Sequence, residues 1–360
     1  MPALADRLKR RIEEEGPISV AEYMRLALTD AEGGYYMGRD PFGRGGDFTT
    51  APEISQMFGE LIGLWCMTAW RAMGRPSRCN LVELGPGRGT LMADMLRAAG
   101  VDPGFGAALV PYLVEISPAL RRRQEQTLAG LKREFRWIGD VADAPEEPLI
   151  VVANEFFDAL PVRQFVMTKK GWRERLVGLD QSGNGFAFTL AAHSPGDAEK
   201  PRVPMKAKVR DVFECCPAAN RIVRAIAGRL VRHPGVALIV DYGHGQSAPG
   251  DTLQAVKDHR FHDPLADPGQ ADLTAHVDFA ALKRAGGAAG AQAFGPVEQG
   301  DWLGRLGIRI RADSLKKAQP GRADEIEAAF HRLTAADGMG RLFKALALAS
   351  PGLPPPDGFD

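Results

Sequence analysis

The segment LVELGPGRGT, residues 81–90, combines an apolar run with three glycines at alternate positions. An apolar run that passes through G-x-G-x-G into the helical segment TLMADMLRAA is typical of a strand that turns directly into a helix. Because glycine has no side chain, such a turn leaves the backbone open beside the helix N-terminus, where polar ligands bind. The segment therefore predicts a site for a nucleotide-like ligand.

The spacing of these glycines disfavours two common kinds of nucleotide site. Dinucleotide binding requires G-x-G-x-x-G, and Thr90 stands where the last glycine would be. A Walker-type phosphate loop ends in Gly-Lys-Ser/Thr, and no lysine occurs in this segment. A nicotinamide-dependent oxidoreductase nevertheless stays open as an alternative.

The glycine segment resembles motif I of class I S-adenosyl-L-methionine (SAM) methyltransferases, E/D-x-G-x-G-x-G. The residues that match this motif are Glu83, Gly85, Gly87 and Gly89. The resemblance implies that these residues bind SAM.

Two later segments extend the predicted cofactor site. YLVEIS ends a second strand in Glu115, where a carboxylate can accept both ribose hydroxyls, as an acidic residue does in other nucleotide-binding folds. Asp140 in WIGDV matches the methyltransferase position that contacts the adenine amino group, with Val141 beside the ring. We therefore expect ribose on Glu115 and adenine near Asp140.

Long motifs spread over nearly the whole chain resemble the MidA family of class I SAM methyltransferases. These motifs are GPISVAEYM, GGYY, GDFTTAPEISQMFGELIGLW, VELGPGRGTL, NEFFDALPV, IVDYG, DLTAHVDF and MGRLFKAL. The family includes a mitochondrial methyltransferase that assists complex I assembly and acts on an arginine of a complex I subunit. The resemblance implies SAM as cofactor and a protein arginine, in a complex I type subunit or another protein, as methyl acceptor.

The segment NEFFDALP, which follows the fourth predicted strand, carries candidate catalytic residues. Guanidinium has a pKa above about 12, so an enzyme must orient it rather than deprotonate it. Glu155 and Asp158 could hold it bidentately and place one nitrogen for in-line transfer. Asn154 is a candidate for both acceptor and cofactor binding, and small-molecule methyltransferases hold their acceptor there. Asn154 and Asp158 could instead cap a helix or turn, with Glu155 solvated. An assembly factor that binds SAM without catalysis stays open as a second alternative.

Further residues are predicted to line the substrate cleft. They are Asp47, Phe48 and Thr49 in GDFTT, Asp241 and Tyr242 at the end of the fifth strand, and His276. The histidines and acids between residues 259 and 278 lack metal-site spacing, and methyl transfer from SAM requires no metal, so no metal is predicted.

Charge and apolar content exclude several classes of partner. Lys and Arg number 45 and Asp and Glu number 45, which argues against nucleic acid as a partner. The longest apolar stretch, residues 61–70, is too short to insert into a membrane. The first residues lack a signal-peptide core, and their acidic residues argue against a transit peptide, so we expect a cytoplasmic protein unless a eukaryotic source places it in the mitochondrial matrix.

Alternating strand-like and helical segments predict an α/β fold. We expect a Rossmann-like, seven-stranded class I methyltransferase core that ends in a hairpin near residues 291–294 and 342–348. The predicted parts are an N-terminal helical segment covering the active site (1–75), the first half of the core (76–162), an inserted β-hairpin lobe for substrate (163–215), the second half of the core (216–350) with a substrate loop (243–275), and a flexible tail (351–360).

Overall fold

The computed structural model describes residues 3–38, 50–196 and 207–360. Its helices, in chain order, are α1 (Leu4–Glu15), α2 (Val20–Thr29), α3 (Tyr35–Gly38), α4 (Ala51–Ile54), α5 (Gln56–Ala72), α6 (Thr90–Ala99), α7 (Pro103–Ala108), α8 (Pro118–Leu128), α9 (Pro217–Arg232), α10 (Phe279–Ala288), α11 (Gln299–Arg305), α12 (Ile308–Ala318), α13 (Ala323–Thr334) and α14 (Met339–Leu342). Its strands are β1 (Ile18–Ser19), β2 (Cys79–Leu84), β3 (Leu109–Val114), β4 (Arg136–Ile138), β5 (Leu149–Asn154), β6 (Arg163–Thr168), β7 (Gly171–Leu179), β8 (Phe186–Leu190), β9 (Val212–Cys215), β10 (Gly235–His244), β11 (Gln254–Lys257), β12 (Arg260–His262), β13 (Asp272–Thr274), β14 (Val277–Asp278), β15 (Gln292–Glu298) and β16 (Phe343–Ala349).

Seven strands form the main path of the central sheet, in the order β15-β16-β10-β5-β2-β3-β4. The strands from β10 to β4 are parallel, whereas β16 runs antiparallel between β10 and β15. The prediction of a seven-stranded α/β sheet that ends in an antiparallel pair is confirmed. The two-residue β14 adds an eighth strand beside β10, where a Cβ on Gly243 would lie 2.1 Å from the Val277 carbonyl oxygen.

Helices cover both faces of this sheet. One apolar core joins it to α5, α6 and the helices between β15 and β16, and the other joins it to α9 and α10. Strands β2 and β5 are buried along their whole length because neither of their faces meets solvent. Within the described ranges, no helix is both long and apolar enough to cross a membrane.

A second sheet joins the N-terminal segment to the predicted hairpin lobe. Its order is β1-β7-β6-β9, with β8 also paired to β7. Gly171, the first residue of β7, and Gly183, in the turn after β7, have φ of 96° and 74°, which glycine adopts without a steric penalty. Ile18 pairs with Val177, and the core below this sheet contains residues from α1 and α2. The lobe and the N-terminal helices therefore share one apolar core.

Two segments differ from their predicted character. The stretch 243–275 contains a three-stranded sheet, β12-β11-β13, rather than only loop. The tail 351–360 packs onto the protein, because the Trp65 indole N–H donates to the Asp357 carbonyl at 3.1 Å and Phe359 lies 6.2 Å from the Trp302 ring. These contacts differ from the expectation of a flexible tail, since proline and glycine prevent regular structure without preventing such contacts.

Candidate cofactor and acceptor site

A cavity of about 240 Å³ lies where β2, β3 and β5 reach their carboxyl ends. Ligands bind at this edge of open parallel sheets because the loops that follow the strands surround it. Its apolar walls include Leu84, Val114, Val141, Phe156, Leu160 and Ile222. A cavity with these walls suits a nucleoside, which has flat apolar faces and few polar groups.

The glycine loop between β2 and α6 forms the floor of this cavity. Gly85, Gly87 and Gly89 have φ of 60°, 52° and 82°, the left-handed region that side chains disfavour. A Cβ on Gly85 would lie 2.8 Å from a ring carbon of Phe156. The loop thus leaves bare backbone toward the cavity, as the sequence predicted.

A smaller polar recess of about 40 Å³ adjoins the cavity across the same loop. Two buried oxygens on residues of its lining, Glu83 Oε2 and Asn154 Oδ1, find no hydrogen-bond partner among the described residues. Glu53 of α4 also lines the recess, and its carboxylate accepts from the Thr90 hydroxyl at 2.5 Å. Unpaired acceptors and carboxylates favour a cationic group such as the ammonium of a methionine moiety.

Glu115 lies buried at the end of β3, as predicted, and lines the cavity. Its carboxylate accepts from the Ser117 amide at 2.7 Å and from the Gln124 side-chain amide at 3.0 Å. Burial raises the pKa of Glu115, and these two donors oppose that rise. The arrangement holds the carboxylate in one orientation beside the cavity.

Asp140 and Val141 lie together on the cavity wall. The Asp140 carboxylate accepts from the Ala142 amide at 2.9 Å, and the Asp143 carboxylate accepts from the Asp140 amide at 3.1 Å. This reciprocal capping fixes the turn after β4, so that Val141 forms an apolar wall beside an acidic group.

Glu155 follows β5 with a φ of 49°, and it lines both the cavity and the recess. Its Oε1 accepts from the Ala51 amide at 2.9 Å and from the Asn154 side-chain amide at 3.1 Å. Burial, with a contribution from Asp158, raises the pKa of Glu155 to about 7. Glu155 therefore joins the cofactor cavity to the start of α4.

Asp158 lies buried behind Glu155 rather than on the cavity wall. Burial raises the pKa of Asp158 to about 6, while a hydrogen bond from the Tyr242 hydroxyl opposes the rise. Its Oδ1 is buried and finds no partner in the part of the chain that the structure describes. This oxygen can still accept a hydrogen bond from a group that enters the site.

Asp241, predicted as a substrate-cleft residue, lies outside the lining of both the cavity and the recess. Its side chain is fully buried, and Oδ2 accepts from the successive amides of Phe156, Phe157 and Asp158 at 3.2, 2.9 and 3.2 Å. Three N–H groups on one oxygen fix the turn that carries Glu155. Asp241 is thus a positioning residue for the acidic turn.

The other predicted cleft residues fall into two groups. Tyr242 lies edge-on to the half-buried His276, with 5.6 Å between ring centroids, and burial lowers the pKa of His276. The Tyr242 hydroxyl also donates a hydrogen bond to Asp158, so Tyr242 connects the His276 ring to the acidic turn. The others, Asp47, Phe48 and Thr49, fall outside the described residues.

Tyr36, in the GGYY motif, is a wall residue of the cavity. Its carbonyl accepts from the Ser117 hydroxyl at 2.5 Å, and its hydroxyl donates to Asp272 at 2.8 Å. Through Tyr36, the N-terminal segment therefore lines this cavity and contacts both the turn after Glu115 and β13. The GGYY motif was the available sequence signal, although nothing local shows which tyrosine faces inward.

The sheet order, the glycine loop and the acidic residues at the strand ends define a class I SAM-dependent methyltransferase. A family model described as putative S-adenosyl-L-methionine-dependent methyltransferase matches residues 61–297. The chain belongs to this family, and its resemblance to the MidA family is confirmed.

Similar proteins agree with this membership. The curated "Protein arginine methyltransferase NDUFAF7, mitochondrial" of Xenopus tropicalis is 38% identical over 99% of this chain and 89% of that protein. The human protein of the same name is 38% identical over 95% of this chain and 82% of its own length. A crystal structure of a likely methyl transferase from Burkholderia thailandensis bound to S-adenosyl-homocysteine has a TM-score of 0.86 and 32% identity, covering 99% of this chain and 92% of that one.

The predicted cytoplasmic location is wrong, because these curated relatives are designated mitochondrial. The prediction depended on the composition of the first residues, which is a weak indicator of where a protein resides.

Proposed function

We propose that this chain methylates an arginine side chain of a protein, with SAM as methyl donor. The observation that carries the proposal is the acidic turn, in which Glu155 borders the cofactor cavity and Asp158 keeps a buried oxygen without a partner. A guanidinium offers several N–H donors in one plane and suits two carboxylates. The names of the curated relatives support the same acceptor.

The same proposal assigns the parts of the cofactor. Val141 and Asp140 would hold adenine, Glu115 the ribose, and the recess with Glu83 the methionine end. Gly85, Gly87 and Glu155 line both the cavity and the recess, which supports a cofactor that extends through the two spaces.

SAM supplies an electrophilic methyl group on its sulfonium. The residues of the acidic turn act on the acceptor, because a guanidinium stays protonated at neutral pH and must be oriented rather than deprotonated beforehand. Carboxylates beside it orient one nitrogen and stabilise the positive charge in a site with little water. Asp241, through its three amide contacts, keeps the turn in place.

A complex I type subunit is the particular acceptor that the family resemblance suggests. Labelled SAM, the full chain and fractionated host lysate are incubated together, and mass spectrometry identifies the labelled residue. We expect methylarginine in a protein band. Label on lysine, glutamine or a small molecule would contradict the arginine proposal, and SAM binding without any label would favour an assembly factor that does not catalyse transfer.

Glu115→Ala is expected to weaken binding of S-adenosyl-homocysteine by about 10- to 150-fold, the range for one hydrogen-bonded charged group. In the variant, no other group accepts the hydrogen bonds that the two ribose hydroxyls would donate to the buried Glu115 carboxylate. Calorimetry measures the change, with Glu125→Ala on the exposed face of α8 as the control. Unchanged affinity in Glu115→Ala would place the ribose elsewhere.

The kcat/KM for an arginine acceptor is expected to fall as the pH drops below about 7, by about tenfold per unit, and to be flat above it. Glu155, with a pKa of about 7, is protonated below that value and can no longer attract guanidinium. A lysine acceptor must lose a proton first, so its rate would instead climb toward its pKa of about 10.4. Initial rates between pH 5.5 and 9 distinguish the two profiles.

A further inference from the structure

Helix α8 buries a polar residue in the middle of its apolar face. Leu120, Gln124 and Leu128 follow one another at four-residue spacing and point into the protein. Gln124 has no exposed surface, whereas its neighbours Glu125 and Gln126 are exposed. A fully buried amide requires partners for its oxygen and nitrogen, since burial without them is costly.

All three partners of Gln124 belong to elements that surround the cofactor cavity. Its Nε2 donates to the Gly87 carbonyl at 2.8 Å and to Glu115 Oε2 at 3.0 Å. Its Oε1 accepts from the Trp137 indole N–H on β4 at 2.8 Å. Both amide hydrogens and the oxygen are used, so the orientation of the amide is determined.

We propose that Gln124 is a positioning residue for cofactor binding, acting through Glu115 and the glycine loop. This inference rests on the cofactor placement proposed above. The two hydrogens of one amide hold the Gly87 carbonyl and the Glu115 carboxylate at a constant separation. The Trp137 indole prevents the amide from turning over, because a reversed amide would bring two donors together.

Gln124 also favours the ionised form of the Glu115 carboxylate. Burial favours the protonated acid, and hydrogen bonds from Ser117 and Gln124 favour the anion. Removing the Gln124 donor raises the pKa of Glu115 further, because only the Ser117 and Ile116 amides and the charge of Arg121 then oppose burial. A protonated Glu115 can accept fewer hydrogen bonds, so cofactor affinity then depends on pH.

The test uses calorimetric titration of the full chain with S-adenosyl-homocysteine at pH 6, 7 and 8. Gln124→Met keeps the length of the side chain and removes the donors. We expect about a 10- to 100-fold loss of affinity at pH 7, in the range for one hydrogen bond to a charged group, with a greater loss at pH 6 than at pH 8. Gln126→Met, on the exposed face of the same helix, is the control and should bind as the wild type does.

A double-mutant cycle with Glu115→Ala separates positioning from general stabilisation of the fold. If Gln124 acts partly through Glu115, adding Gln124→Met to Glu115→Ala should cost less affinity than Gln124→Met costs in the wild type, because the carboxylate to be oriented is gone and only the contact with the Gly87 carbonyl is lost. Losses that add fully would overturn the proposal. A wild type that fails to bind S-adenosyl-homocysteine would instead contradict the proposed function.

Trp137→Phe provides a second variant in case Gln124→Met does not fold, as judged by thermal unfolding. It removes the donor to Gln124 Oε1 and leaves Gln124 and Glu115 in place. We expect a smaller loss of affinity, about two- to fivefold, again greater at pH 6. Wild-type affinity at every pH in this variant would overturn the role of the oriented amide.

Discussion

Glu155→Gln is expected to lower methyl transfer to arginine by about two to three decades while affinity for S-adenosyl-homocysteine is retained. Glutamine keeps an oxygen to accept from the Ala51 and Asn154 N–H groups, so the turn and α4 should hold their positions. The variant lacks the negative charge that orients guanidinium. Single-turnover rates of methyl transfer from labelled SAM to the acceptor protein identified in the lysate measure the loss. Calorimetry with S-adenosyl-homocysteine measures cofactor affinity.

The same variant tests whether the acid acts through its charge. Because a neutral side chain does not titrate, the fall in kcat/KM below pH 7 should be largely lost in Glu155→Gln. Asp158, with a pKa of about 6, would account for any residual fall at lower pH. Wild-type methylation rates in Glu155→Gln would remove Glu155 from the catalytic residues.

Gly87→Val is expected to reduce cofactor binding by more than about a hundredfold, beyond calorimetric detection. Gly87 has a φ of 52°, which a β-branched residue adopts at a cost of about 1 to 3 kcal/mol. Relief of that strain would move the loop, and the new side chain would stand where the cofactor approaches the backbone. Titration with S-adenosyl-homocysteine measures the effect.

The control variant Gly183→Val distinguishes the effect of backbone strain from the effect of a side chain that blocks the cofactor site. Gly183 has a φ of 74° in a hairpin turn, and a Cβ there would meet no atom within 4 Å. Gly183→Val should lower the unfolding temperature by about as much as Gly87→Val does, because the backbone strain is similar. Its affinity for the cofactor should equal that of the wild type. Binding in Gly87→Val at the wild-type level would mean that the glycine loop does not hold the cofactor.

The sequence by itself determined the local structures and the class of cofactor. Periodicity is a property of neighbouring residues, so the predicted runs ending in Leu84, Glu115 and Asn154 correspond closely to β2, β3 and β5. The alternate glycines predicted a strand-to-helix turn with open backbone, and the three φ values agree. Parallel strands end at one edge of a sheet, so the residues that follow them could be grouped in advance.

Only the tertiary structure decided which side chains face the cavity and which are buried behind it. The sequence predicts Asp241 at a strand end, as it does Glu155, yet β10 continues to His244 and the Asp241 carboxylate accepts from three amides of the turn that carries Glu155. The role of the N-terminal segment depends on pairing between Ile18 and Val177, which are far apart in sequence. Gln124 has the spacing of an ordinary core position, and its partners come from three other elements. Such contacts depend on packing between distant segments, and no periodicity within one segment encodes them.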